Sequence, residues 1–244
     1  MPWLLIDNSN TRTKLVLADA SGLLAWRGHI DTPAICPESL QELLGGLAFS
    51  GVLLCSVVPE KARILRDFFA GTPLHTLAAT SNLGIGIDYP TPGQIGADRL
   101  ANAVGVHALH GTPAIVIDFG TAVTFDVVSA APAYVGGVIA PGLAAMTDYL
   151  AKRTALLPKI ELSEPQQAIG KSTEAAMLAG AVFGYRGLVK EILAQLGSEI
   201  AGQPVIVATG GDAPLIARGL PEIQTVAPDL TLEGLRLIAA RNLA

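Results

Sequence analysis

The sequence predicts an α/β protein built as two similar halves around a cleft, and three observations carry that prediction. A short phrase is written twice, Leu5-Ile6-Asp7-Asn8-Ser9-Asn10-Thr11 near the start and Ile117-Asp118-Phe119-Gly120-Thr121 in the middle. Each copy is an apolar run that ends in an aspartate and then turns through small, hydroxyl-bearing or amide-bearing residues. Such a strand delivers a carboxylate and free backbone N–H groups to one spot, which suits a metal ion and phosphates. Strand, hairpin and helix follow in the same order after each copy. The 244 residues also exceed the usual size of a single core, and they divide into halves of common domain size, expected at 1–111 and 112–244.

The elements read in order as follows. Trp3 to Ile6 is a strand, Asp7 to Thr13 a tight turn, and Lys14 to Ala18 the returning strand of a hairpin aimed at phosphate. Ser50 to Val58 is an apolar strand stopped by Pro59, and Leu83 to Gly96 is a loop carrying Pro90, Pro92 and Gly93. Ala97 to Leu109 has helical spacing and ends near Gly111. Ile115 to Ile117 opens the second half, Thr121 to Val128 returns, and Tyr134 to Ile139 adds a third strand. Thr173 to Leu196 is a long helix, Val205 to Ala208 a strand and Thr231 to Leu243 a closing helix. The uncharged run Val127 to Thr147 has the length of a membrane span, but Pro132, Gly136, Gly137, Pro141 and Gly142 break it into strand, turn and helix.

Composition fits a soluble enzyme with ample core material: 50% of residues are hydrophobic and 15% charged. A net charge of −5 without a basic cluster speaks against nucleic acid as a partner. Asp7 stands close behind the first apolar residues with no basic leader, so a cytoplasmic protein with no membrane partner is expected. Cys36 and Cys55 lack a partner motif and are expected to pack as small hydrophobes. His107 and His110 share a helix face with no third ligand, so no metal is assigned to them.

Six segments in one order resemble the actin, Hsp70 and sugar kinase superfamily, and within it the type III pantothenate kinases. They are Asp7 to Lys14, Tyr89 to Arg99 with Gly96-Ala97-Asp98-Arg99, Ile117 to Asp126, Gly136 to Gly142, Ile169 to Thr173, and Thr209-Gly210-Gly211. The resemblance covers nearly the whole chain. It implies two duplicated RNase H-like, actin-like domains flanking a nucleotide cleft. The implied reaction is phosphorylation of pantothenate by ATP with Mg2+, the first step of coenzyme A synthesis.

The resemblance also implies roles. Asp7, Asn8, Ser9, Asn10, Thr11, Arg12, Thr13 and Lys14 form a first phosphate loop, with Asp7 organising Mg2+ through water. Gly120 and Thr121 form a second loop, and Gly210 and Gly211 lie on the adenosine side. Asp118 is associated with a monovalent cation, K+ or NH4+, and Asp98 with catalysis. Tyr89, Gly96, Ala97, Arg99 and Thr173 are associated with pantothenate, Thr173 coming from the neighbouring subunit of a homodimer. The chain departs from the family at Ser9, where glycine is common.

Read without the resemblance, the same residues leave alternatives open. Asp7 and Asp118 suit turn capping as well as cation binding, although two carboxylates sharing a low-dielectric cleft call for a cation. Asp98 suits a helix cap as well as catalysis, with N–H groups and the helix dipole favouring its ionised form. Arg99 suits a surface ion pair as well as a carboxylate ligand. Thr173 followed by Glu174 reads more strongly as an N-cap, and Thr124 as an ordinary strand residue. Gly180, Gly184 and Gly187 on the long helix suit close packing, with a dimer interface as one use. Two rival functions remain: a superfamily kinase for another small acceptor, and a catalytically inactive nucleotide-binding regulator of the same fold.

Overall fold

The computed structural model describes residues 1–243. The chain divides into two compact units. The first comprises Met1–His110, Pro132–Val135 and the stretch from Asp229 onward, and the second Gly111–Ala131 with Gly136–Pro228.

The first unit holds β1 (Trp3–Asn8), β2 (Arg12–Ala18), β3 (Leu23–Asp31), α1 (Pro37–Leu44), β4 (Gly51–Ser56), α2 (Pro59–Phe68), β5 (Leu74–Thr76), β6 (Gly86–Ile87) and α3 (Ala97–His110). The second unit begins with β7 (Ala114–Phe119) and β8 (Ala122–Val128), followed by β9 (Ala133–Pro141), whose opening residues belong to the first unit and pair in parallel with β6. It continues through α4 (Leu143–Arg153), α5 (Thr173–Glu199), β10 (Val205–Gly210), α6 (Ala213–Ala217) and β11 (Thr225–Val226). The last helix, α7 (Leu230–Asn242), belongs to the first unit.

The duplication read from the two aspartate phrases is a duplication of topology. The strand order β3-β2-β1-β4-β5 of the first sheet is matched by β9-β8-β7-β10-β11 of the second. In each, the aspartate-bearing strand is central, antiparallel to its hairpin partner and parallel to the strand on its other side. β3, α1 and α2 were not among the expected elements. The edge strand β3 is only half-buried on alternate residues. α1 is short and is started by Cys36, whose sulfur accepts from the Ser39 N–H at 3.5 Å while the Ser39 hydroxyl accepts from the Cys36 N–H at 3.1 Å. Cys36 is thus a helix cap rather than core filler, whereas Cys55 is buried; both are free thiols.

Alternation along β1 fixes which face carries chemistry. Leu4 and Ile6 pack with Leu40, Leu44, Ala62 and Leu65 of α1 and α2, so Leu5 and Asp7 point to the opposite face, against which α3 and α7 lie. In β7, Ile115, Ile117 and Phe119 pack on Val182, Tyr185 and Val189 of α5, which turns Asp118 to the other face of that sheet.

α3 and α7 cross closely. The Thr231 hydroxyl donates to Asn102 Oδ1 at 2.7 Å with both residues buried, and a Cβ at Gly234 would collide with the Ala101 carbonyl. Gly234→Ala is therefore expected to cost about 2 kcal/mol through overpacking and to lower the Tm by roughly 4–8 °C. An unchanged Tm in a thermal melt would show that the crossing is loose.

Candidate active site

The loop expected from the sequence to meet phosphate joins β1 to β2. Asp7 is 5% exposed at the end of β1 and accepts a hydrogen bond from the Ser9 hydroxyl at 3.1 Å. Across the strand pair stands Lys14, exposed and on the same face. No residue other than glycine has positive φ among those described, so Ser9 sits in the loop without the strain that a left-handed turn would impose. Its hydroxyl instead orients the Asp7 carboxylate.

Asn8 and Thr13 were expected in the phosphate-binding set, but their side chains are buried and occupied by protein. Asn8 Nδ2 donates to Thr13 Oγ1 at 2.7 Å, and the Ser56 hydroxyl donates to Asn8 Oδ1 at 2.6 Å. Thr32 gives its proton to the Ser9 carbonyl at 2.6 Å, so at the 2.9 Å contact between the two threonine hydroxyls Thr13 donates. This chain from Ser56 to Ser9 braces the hairpin from beneath. Neither Ser56 nor Thr32 is marked in the sequence, because their roles arise from pairing across the sheet. Asn10, Thr11 and Arg12 are exposed at the tip, with Arg12 3.9 Å from Asp31.

Asp98 is the second residue of α3, two past Gly96, and so is not the helix cap that the sequence also allowed. Its Oδ1 accepts from the Arg99 N–H at 2.8 Å. Burial raises its carboxyl above the ordinary range, and this outweighs the lowering by the Arg99 N–H and guanidinium. The N–H groups at the helix start do favour the ionised form, as expected, but burial outweighs them. Asp7 and Asp98 converge on Cys55, which pairs with Asp7 in register on β4; burial, then the charges of Asp7 and Asp98, push its thiol well up.

Arg99 carries its guanidinium carbon 5.6 Å over the ring of Tyr134, and Tyr89 meets the same ring edge-on at 6.1 Å. Tyr134 is fully buried and thus gives both residues a fixed platform. It reads in the sequence only as a strand residue. Gly96 and Ala97 form the turn into α3, where the Gly96 carbonyl accepts from Arg99 and Leu100 N–H.

In the second unit Asp118 is half-buried at the end of β7 opposite Thr124, with Gly120 and Thr121 exposed just beyond. Two glycines fix this loop from outside it. Gly210 has φ +91° and lies so close to the Phe119 backbone that a Cβ would collide; Gly142 abuts the carbonyls of Gly120 and Thr121 in the same way, and its N–H donates to Thr121 at 3.1 Å. Thr209-Gly210-Gly211 is thereby pinned against the loop that follows Asp118.

Thr173 is exposed at the first position of α5, but the cap is Ser172, whose hydroxyl accepts from the Ala175 N–H at 3.1 Å. The capping role expected of Thr173 thus falls to its neighbour. Among the described residues no three His, Cys, Asp or Glu side chains gather into a metal-holding cluster, and no helix is long and apolar enough to cross a membrane.

Asp98 makes a pH prediction with a definite sign. A carboxyl raised on folding contributes stability that is full below its unfolded pKa of about 3.9 and is lost as pH rises through the folded value. Asp98→Asn should therefore raise the Tm near neutral pH, with the gain vanishing below about pH 4. A Tm gain that persists in acid would contradict this, as would a loss at neutral pH.

Comparison with known proteins fits this constellation. The model of the type III pantothenate kinase family matches residues 3–195. Over 243 residues the chain is 56% identical to a type III pantothenate kinase of Akkermansia muciniphila, with 100% of both chains covered. It is 44% identical to one of Methylacidiphilum infernorum, over 96% of this chain and 87% of that one. An activator of 2-hydroxyisocaproyl-CoA dehydratase from Clostridium difficile, solved with bound ADPNP, shares the fold at 14% identity with a TM-score of 0.53, covering 99% of this chain and 94% of that one.

Proposed function

Because the chain belongs to the type III pantothenate kinase family, we infer that its ATP-dependent phosphorylation of pantothenate, the first step of coenzyme A synthesis, runs by positioning and electrostatics, with Asp98 as the catalytic carboxylate. The observation that carries this reading is the burial of Asp98 at the start of α3, where it and Asp7 both act on the buried Cys55 thiol of β4. A raised carboxylate is a better acceptor for a hydroxyl proton than an exposed one. Asp98 aims the terminal hydroxyl of pantothenate and takes its proton as the oxygen–phosphorus bond forms and the bond from the γ-phosphorus to the departing ADP breaks.

Arg99, steadied on Tyr134, offers its planar fork to the pantothenate carboxylate, with Tyr89 beside it. Backbone N–H groups from Ser9 to Thr11, with Arg12 and Lys14, serve the phosphates from the first unit. Gly120 and Thr121 serve them from the second, and Gly210 and Gly211 take the adenosine side. The donor set around Asp7 and Asp118 is all oxygen, which fits hard cations: Asp7 would hold Mg2+ through water, and Asp118 with the Thr121 hydroxyl would hold K+ or NH4+. When bound, these ions supply positive charge that offsets the phosphates. A cytoplasmic location is part of the same reading and rests on the need for ATP.

A homodimer is supported by the face of α4 and α5. Met146, Tyr149 and Phe183 are exposed there, a Cβ at Gly180 or Gly187 would meet nothing within 4 Å, and one at Gly184 would meet only Met146, at 3.9 Å. That open stripe leaves room for a second helix, and Thr173 would then enter the substrate site from the neighbouring subunit.

Asp98→Asn is expected to cut turnover about a hundredfold or more while the affinity for ATP, read by titration calorimetry, stays near that of the native chain. Unchanged turnover would move the catalytic role elsewhere. The native chain is expected to show twice its monomer mass in light scattering and Gly184→Leu a lower mass; a monomeric native mass would remove the composite site.

A further inference from the structure

Arg186 stands in the middle of α5 and is 8% exposed, an unusual place for arginine unless its donors are satisfied. Its Nε donates to the Ile216 carbonyl at 3.1 Å and its Nη2 to the Leu215 carbonyl at 2.7 Å, both in α6. The same guanidinium grips Glu164 with both arms, Nη1 to Oε1 at 2.8 Å and Nη2 to Oε2 at 2.7 Å. One planar fork is therefore shared between the helix that follows Gly210-Gly211 and the segment that leads into Thr173.

Each side of the fork is anchored. Ala213 and Ile216 of α6 are fully buried, so the short helix and the loop before it move as a body. A Cβ at Gly219 would strike the guanidinium, which leaves glycine to let the turn after α6 close over Arg186. Leu162, two residues before Glu164, packs on the core of the second unit, and the backbone at Gly170 lies tight against Ala175 and Ala176 in the first turn of α5. Arg186 also holds the Glu164 carboxyl below its usual range.

We propose that Arg186 is a positioning residue that couples nucleotide binding to acceptor binding, by tying the adenosine-side helix α6 and the Thr173-bearing segment to a single buried guanidinium. This rests on the roles given above to Gly210, Gly211 and Thr173. A nucleotide that shifts Gly210-Gly211 shifts the Leu215 and Ile216 carbonyls, and the rigid fork passes the shift to Glu164 and thence to Thr173. Lysine cannot replace this arginine, because a single ammonium cannot serve two carbonyls and both carboxylate oxygens in one plane.

The test is titration of pantothenate into the purified protein with and without saturating ADP, together with steady-state kinetics. In the native chain ADP is expected to change pantothenate affinity by about five- to tenfold, a typical coupling between sites. Glu164→Gln, which leaves Arg186 its α6 carbonyls and therefore a near-native Tm, should bring that factor close to one. It should also raise the pantothenate KM several-fold and, because coupling is reciprocal, weaken ATP binding at saturating pantothenate by a similar factor, while kcat stays within about twofold. Arg186→Lys should do the same with some loss of stability. A native factor of one, or a factor unchanged in Glu164→Gln, overturns the proposal. Thr173→Ala separates it from the acceptor reading beneath it: if Thr173→Ala leaves pantothenate KM unchanged, the assignment of Thr173 fails; if it raises KM while Glu164→Gln preserves the coupling, the clamp alone fails.

Discussion

A carboxylate held at the dry end of a central strand is the constraint around which each half is built. Asp7 is nearly inaccessible, and an ionised group there is costly unless donors or cations surround it. The tight hairpin, the Ser9 hydroxyl and the buried chain from Ser56 through Asn8, Thr13 and Thr32 all act to hold that end of β1 in one geometry. In the second half the same strand order presents Asp118, and backbone contacts from Gly142 and Gly210 take the place of the polar chain. Duplication kept the carboxylate and its topology, while the bracing beneath it diverged.

The first unit then sets two carboxylates to different work. Asp7 meets a hydroxyl donor, whereas Asp98 is dominated by desolvation. On the function proposed above, environment and not residue type would separate a ligand for cations from a proton acceptor. Arg99 lies over the Tyr134 ring, and its charge lowers the Asp98 carboxyl less than burial raises it.

What the sequence made legible was whatever rests on local pattern. The two aspartate phrases, the apolar strands behind them, the helix at Ala97 and the long helix at Thr173 all follow from short-range periodicity and turn chemistry. β3, α1 and α2 escaped because one is a half-buried edge strand and the helices are short, with α1 capped by an atypical cysteine. The return of α7 to the first unit is a long-range event set by close backbone approach at Gly234. In the site, Asp98 and Arg99 are visible as a motif, but Tyr134, Ser56, Thr32 and the Arg186–Glu164 clamp depend on partners far apart in the chain. Ser172 displaced Thr173 as the cap because the hydroxyl one residue earlier reaches the Ala175 N–H.

The central proposal, that a strand-end carboxylate in each half supports cation-dependent phosphoryl transfer, is tested most directly by ADP release from the purified chain. The assay contains ATP, Mg2+ and pantothenate, in potassium or ammonium salt and again in sodium salt alone. The account predicts pantothenate-dependent turnover that requires potassium or ammonium and that loses this preference in Asp118→Asn. Equal turnover in sodium would contradict the role given to Asp118, and ATP binding without turnover in any salt would contradict the account as a whole.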